Sequence, residues 1–361
     1  MTHVSVPRAS VVICVYTEKR WNDIVNAVES VARQDVRPVE TMIVVDHNPV
    51  LLDRAKQVFG PRGVRVLPNM HRQGLSGARN TAIAAAVGDI VVFLDDDAAA
   101  RPGWLRALLA PYADPRVIAV GGVAHPRWPD RRPAVLPSAA PDDQNATGEL
   151  DWIVGCTYTG QPTQQADVRN LMGCNMSFRR EVFGHVGGFA EDIGRIGKNP
   201  LGCEETELCI RARQMYRRAG ADVRIVFEPR AEVDHRVSDD RVKWSYLRRR
   251  SWAEGLSKAA VSKLVGSDDA LSTERSYVLK VLPAAVWREL RRGRIVSALA
   301  VIVALTWTVA GYIRGKLPGA TSGVRLPAAQ TGTMVDPPTV RISPVPASPP
   351  PAPHRHRPSG V

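Results

Sequence analysis

Residues 89–97 read DIVVFLDDD: a short apolar run, 90–94, closed by three consecutive carboxylates. A run of this length, rich in Val, Ile and Phe, suits a strand buried on both faces. Asp95, Asp96 and Asp97 then stand at its carboxyl end. In an open α/β sheet, ligands bind in the crevice beyond those ends. Like charges this close raise one another's pKa unless a cation offsets them. A hard divalent ion, Mg²⁺ or Mn²⁺, takes carboxylate oxygens and commonly shares its sphere with substrate phosphates. The plain alternative is a solvated acidic turn. If the period-2 alternation of the strand continues, Asp95 and Asp97 share one side and Asp96 takes the other.

Outward from this stretch the chain alternates strand-like and helix-like patterns. SVVICVY (10–16) and TMIVV (41–45) are buried-strand runs, the second ending at Asp46. Between them, Trp21, Ile24, Val25, Val28 and Val31 recur at helical spacing. VRVL (64–67), a small-residue helix around 78–87 and the strand RVIAVGG (116–122) extend the pattern. Such alternation predicts right-handed crossovers and a mixed, mostly parallel α/β sheet with helices on both faces. A dinucleotide-binding oxidoreductase would need a glycine-rich turn after the first strand. The turn here is YTEKRW (16–21), without glycine, and that reading fails. Residues 126–143, rich in Pro, Arg and Asp, read as a loop, and a helix is expected over about 204–218 with Gly220 as its stop.

The 361 residues suffice for a sizeable core, and their formal net charge of +12 points to an anionic partner. Five cysteines, without a CxxC pair or metal-type spacing, read as reduced cytoplasmic thiols. The N-terminus lacks the apolar core of a signal peptide.

These pieces taken in order resemble a family 2 glycosyltransferase of the GT-A fold. The matching segments are VVICVY, IVVD, GLSGARN (74–80), VVFLDDD, GCNMSFRR, GGF and CEETELCIR, spread over roughly residues 8–235. The resemblance implies a GT-A domain over 8–240, a nucleoside diphosphate sugar donor and a divalent cation, Mg²⁺ or Mn²⁺. It places Asp46 at the nucleotide base, Arg79 and Asn80 in the donor-binding loop, and Asp95 with Asp96 beside the donor. The metal falls to Asp97 and Asp95, with His235 as a further ligand. Glu204 and Glu205 fall at the catalytic base, where the family's usual Glu-Asp has become Glu-Glu, and the sequence leaves open which of them acts. Acids in the first turn of a helix also complement its dipole, the bland account of both. His125, Trp128 and Trp152 are available to line the acceptor side, although packing roles suit each better. Arg249, Arg250 and Trp252 only faintly match the Gln-x-x-Arg-Trp segment of processive members, so a processive polymerase is not supported.

Residues 241–294 hold 13 Lys and Arg against 5 Asp and Glu, that is 13 − 5 = +8. The next 19 residues, 295–313, carry no charge and are just long enough to span a bilayer's hydrocarbon core. A basic helical segment followed by a transmembrane or membrane-associated helix is expected, with a Pro-rich disordered tail over 314–361. The flanking basic residues favour a catalytic domain on the cytoplasmic face of the membrane, and a lipid-linked acceptor suits the basic segment. No motif supports nucleic-acid binding. The function expected is inverting transfer of one sugar to a hydroxyl of a glycan or lipid-linked acceptor. Attack by a polyprenyl phosphate and a non-catalytic nucleotide-sugar-binding protein are the alternatives.

Overall fold

The computed structural model describes residues 7–143, 145–194 and 201–317. The Pro-rich tail beyond residue 317 lies outside the described residues.

The sheet begins with β1 (Ala9–Val15), the long apolar run, which takes β2 (Glu40–Val45) on one side and β4 (Ile90–Asp95) on the other. All three run parallel, and β3 (Arg65–Pro68) continues the parallel set beyond β2. Helices α1 (Trp21–Ala32), α2 (Pro49–Phe59) and α3 (Leu75–Ala85) make the crossovers. After β4 come β5 (Ala98–Ala100), α4 (Trp104–Leu109) and β6 (Val117–Arg127). A short β7 (Ala166–Asp167), β8 (Asn175–Arg179), α5 (Arg180–Val186), α6 (Glu204–Arg218) and β9 (Arg224–Arg236) complete the sheet. Its order is β3-β2-β1-β4-β8-β6-β9-β5, with β7 on β9. β8 is antiparallel to both its neighbours, so the sheet is mixed, as expected.

Two apolar layers cover the faces. Ile13, Ile24, Ile43, Leu94 and Trp104 lie in one, and Val12, Met42, Phe93, Phe178 and Leu208 in the other. Successive residues of β1 and β4 feed opposite layers, which is why both strands are apolar throughout. Trp104 Nε1 donates to Asn175 Oδ1 at 2.8 Å, and Asn175 Nδ2 donates to the carbonyls of Val123 and Ala231. One buried amide thus ties β8 to β6 and β9 just behind the acidic strand end.

The chain continues into α7 (Trp244–Val265), short turns α8 (Ser267–Ala270) and α9 (Glu274–Ser276), a π-helical turn over Tyr277–Val281, α10 (Leu282–Arg291) and α11 (Ile295–Lys316). The charge-free run is therefore the core of α11, which extends three residues beyond the expected end at 313. It lies against α7 with the backbones nearly touching. A Cβ on Gly255 would strike the Thr308 carbonyl, and one on Gly311 would strike the Trp252 carbonyl. Ala300, Val301 and Ala304 join Leu247, Leu282 and Ile153 in a third apolar cluster. The loop expected at 126–143 is held there too, because the buried Arg132 donates to both oxygens of Asp151 at 2.7 and 3.0 Å.

Candidate active site

β4 ends at Asp95, and the chain turns before pairing β5 with β9 so that Ala98 faces His235. This turn delivers Asp97 to the histidine: Asp97 Oδ1 lies 3.2 Å from His235 Nε2. Asp95, Asp97 and His235 each offer a ligand atom, all within 4.8 Å of one another. Around an octahedral ion with ligands at about 2.1 Å, neighbouring ligand atoms stand about 3 Å apart. Small adjustments therefore fit the three groups to one divalent cation. Asp97 is buried among cations, with Arg20 at 3.2 Å and Arg241 at 3.3 Å on Oδ2. Burial alone would raise its pKa, but His235, Arg241 and Arg20 together hold it well below the usual carboxylate range.

The strand alternation does not continue past Asp95: Asp96 and Asp97 form the turn, and both reach Arg20. Asp96 Oδ1 accepts from Arg20 Nη1 at 2.6 Å, the same nitrogen that lies 3.2 Å from Asp97 Oδ2. Burial pushes the Asp96 carboxyl up to about 7, with Arg20 opposing and Asp97 and Asp95 adding to the rise. Asp46 holds the chain reversal before α3, accepting from Gly74 N at 3.0 Å and from Asn69 Nδ2 at 2.7 Å. Gly74 has φ of 132°, a backbone conformation open to glycine. Asn80 Nδ2 donates to Phe189 O and Glu191 Oε1, and its Oδ1 accepts from Phe189 N. Its amide is spent on pinning the loop after α5, a use its place in GLSGARN did not reveal.

Arg79, inside α3 rather than on a loop, is buried beneath the site. It donates to Glu204 Oε1 at 2.8 Å and to Gly173 O at 3.0 Å, and lies 3.6 Å from Asp95 Oδ1. Glu204 opens α6 immediately after Cys203, whose φ of 71° is a strained left-handed conformation. That kink turns both glutamates towards the strand end. Glu205 is half-buried in the wall of the same cavity, with the Thr206 hydroxyl 3.3 Å from its Oε1. Burial first, and then the Glu204 charge, raise its pKa to about 8, with Arg79 opposing. One glutamate is thus clamped, and the other is a carboxyl poised near neutrality, as a general base requires.

The cavity measures about 670 Å³, and Arg79, Asp95, Glu204, Glu205 and His235 line it. Trp152 does reach it, with Nε1 donating to Tyr277 Oη at 3.1 Å. His125 instead pairs with Glu232 at 2.8 Å, and Trp128 packs in the third apolar cluster under Arg132. Arg20, Arg241 and the charged groups of α7 were missed, because nothing local in the sequence ties them to the acids.

The glycosyl transferase family 2 pattern matches residues 10–187. A glucosyl-dolichyl phosphate glucuronosyltransferase of Haloferax volcanii is 35% identical over 266 residues, covering 73% of this chain and 80% of that protein. The chain belongs to glycosyltransferase family 2. This family 2 enzyme is a glycosyltransferase with a nucleotide-sugar donor, and the non-catalytic alternative falls. A probable N-acetylgalactosaminyltransferase 9 of Caenorhabditis elegans is 27% identical over 227 residues, 58% of this chain and 37% of that one. Among solved structures, the mannosyltransferase PcManGT from Pyrobaculum calidifontis, in complex with GDP-Man and Mn²⁺, superposes with a TM-score of 0.54. It is 17% identical, covering 86% of this chain and 88% of that one, and shares the GT-A fold of the family 2 enzyme.

Proposed function

We propose that the protein transfers a single sugar, with inversion, from a nucleoside diphosphate sugar to a hydroxyl of a lipid-linked acceptor, using a divalent cation. The observation that carries this is the pair of adjacent glutamates lining one cavity with Asp95 and His235: Arg79 holds Glu204 by Oε1, and burial beside Glu204 gives Glu205 the raised pKa that suits a base. Glu205 takes the proton from the attacking hydroxyl. The acceptor oxygen bonds to the anomeric carbon as the bond to the diphosphate breaks, and the electron pair leaves with the diphosphate. A cation held by Asp95, Asp97 and His235 would offset the charge of that leaving group. A mixed oxygen and imidazole set favours Mn²⁺ over Mg²⁺. The name of the Haloferax relative supports a lipid-linked acceptor.

Attachment to the cytoplasmic face of a membrane belongs to the same proposal. α11 is long and apolar enough to cross a bilayer by length and composition. Its packing favours an interfacial position. One side is seated on α7, which carries Arg248, Arg249, Arg250, Glu254 and Lys258, charges that oppose entry into hydrocarbon. On the other side Ile295, Leu299, Ile302, Val309 and Ile313 form an exposed stripe at helical spacing, with Trp287 and Leu290 exposed on α10. Arg291, Arg292 and Arg294 precede the stripe, and Arg314 and Lys316 follow it at the other end. Such a helix lies in the head-group plane of an anionic bilayer.

Screening nucleoside diphosphate sugars for Mn²⁺-dependent transfer to glucosyl phosphoryl polyprenol tests the reading, with Glu205→Gln as the control. Transfer that survives this substitution would favour attack by an already anionic polyprenyl phosphate, which needs no base.

A further inference from the structure

The catalytic cavity does not stop at the glutamates. Beside Glu204, Cys203 Sγ lies 3.6 Å from Glu254 Oε1, where a belt of buried and half-buried charges begins. Glu254 pairs with Arg250 at 2.8 Å and Lys258 at 3.4 Å; Lys258 reaches Glu274 at 2.5 Å, and Glu274 holds Arg169 at 2.7 Å. All five line the cavity, three cations against two carboxylates, leaving an excess of one positive charge. Beyond the belt the wall turns apolar. Tyr158 and Tyr277 meet edge to face at 5.5 Å, and Val281, Leu282, Leu305, Val309 and Tyr312 continue from the π-helical turn and α11. Val309 also belongs to the exposed stripe and is 47% exposed, so the apolar end adjoins the surface assigned to the membrane.

We infer that this cavity is an acceptor channel for an amphiphile: a sugar at Glu205, an anionic phosphate link at the Arg250–Lys258–Arg169 belt, and an aliphatic tail leaving past Val281, Leu305 and Val309. The inference rests on the transferase reading and assigns residues to the phosphate and the tail of its acceptor. The three chemistries meet in one cavity: the glutamates adjoin the belt where Cys203 meets Glu254, and the belt adjoins the apolar wall where Arg250 lies over Trp152, which donates to Tyr277. A water-soluble glycan acceptor would leave the apolar end facing water. The channel also explains why α11 is docked on the domain through glycines rather than tethered loosely: its inner face is part of the substrate site.

Calorimetry on the full chain, with Mn²⁺ and a nucleoside diphosphate present, provides the test. The probes are farnesyl phosphate, isopentenyl phosphate and inorganic phosphate. Each buried methylene strengthens binding about fourfold. Farnesyl phosphate should therefore bind at least about a hundredfold more tightly than isopentenyl phosphate. Leu305→Trp and Val281→Trp, which fill the tail end from two different elements, should each weaken farnesyl phosphate by about tenfold or more, about 1.4 kcal/mol. Retained Mn²⁺-dependent nucleoside diphosphate binding reports that each variant is folded. Equal affinity for the long and short probes, or farnesyl phosphate binding untouched by both substitutions, would overturn the channel. Loss of metal-dependent nucleotide binding in the wild type would instead overturn the transferase reading. In that case the chain-length comparison still judges the channel by itself.

Discussion

Arg79 Nη1 donates to Glu204 Oε1 at 2.8 Å, an ion pair between α3 and the first residue of α6 in which both side chains are almost fully buried. On the proposed reading Glu204 is a positioning group and Glu205 is the base that meets the substrate. Glu205→Gln should lower kcat by about 10²–10⁴, the usual worth of a general base. Glu204→Gln keeps an acceptor for Arg79 and should stay within about tenfold of wild type. Glu204→Ala takes the 2.8 Å partner from a buried guanidinium, leaving it Asp95 at 3.6 Å, and should cost up to about 3–5 kcal/mol of stability. Initial rates and urea melts of the three variants check this, and a reversed order of rates would make Glu204 the base.

The same pair of glutamates sets the pH profile. Transfer needs Glu205 ionised, and its pKa is raised to about 8, so activity should be lost as the pH falls through that value. Log kcat/KM should rise with unit slope from the acid side and level off above about 8. Glu204→Gln removes a neighbouring negative charge, and the inflection should move to lower pH. A profile that is flat from about pH 6 to about pH 9, roughly a hundredfold in proton concentration below pH 8 and tenfold above it, would contradict the assignment.

Docking of α11 depends on the glycine seam. Gly255→Val and Gly311→Val each drive a side chain into the facing backbone and should cost at least about 1–3 kcal/mol. Urea denaturation measures the loss, and unchanged midpoints would mean that the helix is not seated where it is described.

Membrane binding should follow the exposed stripe. Ile302→Glu and Ile313→Glu change residues 49% and 55% exposed, so the fold should tolerate both while co-sedimentation with phosphatidylserine vesicles falls sharply. Arg291→Gln should weaken it about fivefold, the worth of one cation near an anionic surface. Removing all of α11 is a poorer test, because Ala300, Val301 and Ala304 would leave a core cluster open.

Much of this was legible in the sequence. The runs ending at Asp46 and Asp95 became β2 and β4, and the helix expected over 204–218 is α6. The alternation of side chains held only to Asp95, because the chain turns at Asp96 and Asp97 and brings both to Arg20. Partnerships across the fold were not legible. Arg20 is 76 residues from Asp96, Arg79 is 125 from Glu204, and one arginine looks like another in a chain this basic. The family resemblance places Asn80 in the donor-binding loop, and it gives no sign that the amide also closes a loop at Phe189. The charge-free run was read for its length, and its small residues, Gly311 and Gly315 with Gly255 on α7, carried the signal that it packs against protein.

The central claim is that Asp95, Asp97 and His235 form a metal site for the donor diphosphate, and nucleotide titration with and without Mn²⁺ tests it most directly. Asp97→Asn keeps the shape of a side chain that sits among Arg20, Arg241 and His235 but only one acceptor oxygen, so retained metal-free nucleotide binding serves as the check that the variant is folded. Calorimetry should show Mn²⁺ tightening nucleoside diphosphate binding in the wild type. In Asp97→Asn, and in Asp95→Asn as a second variant, that gain should fall by at least about tenfold, roughly 1.4 kcal/mol. The same metal-dependent affinity in the wild type and both variants would contradict the account and leave the three aspartates as an acidic turn.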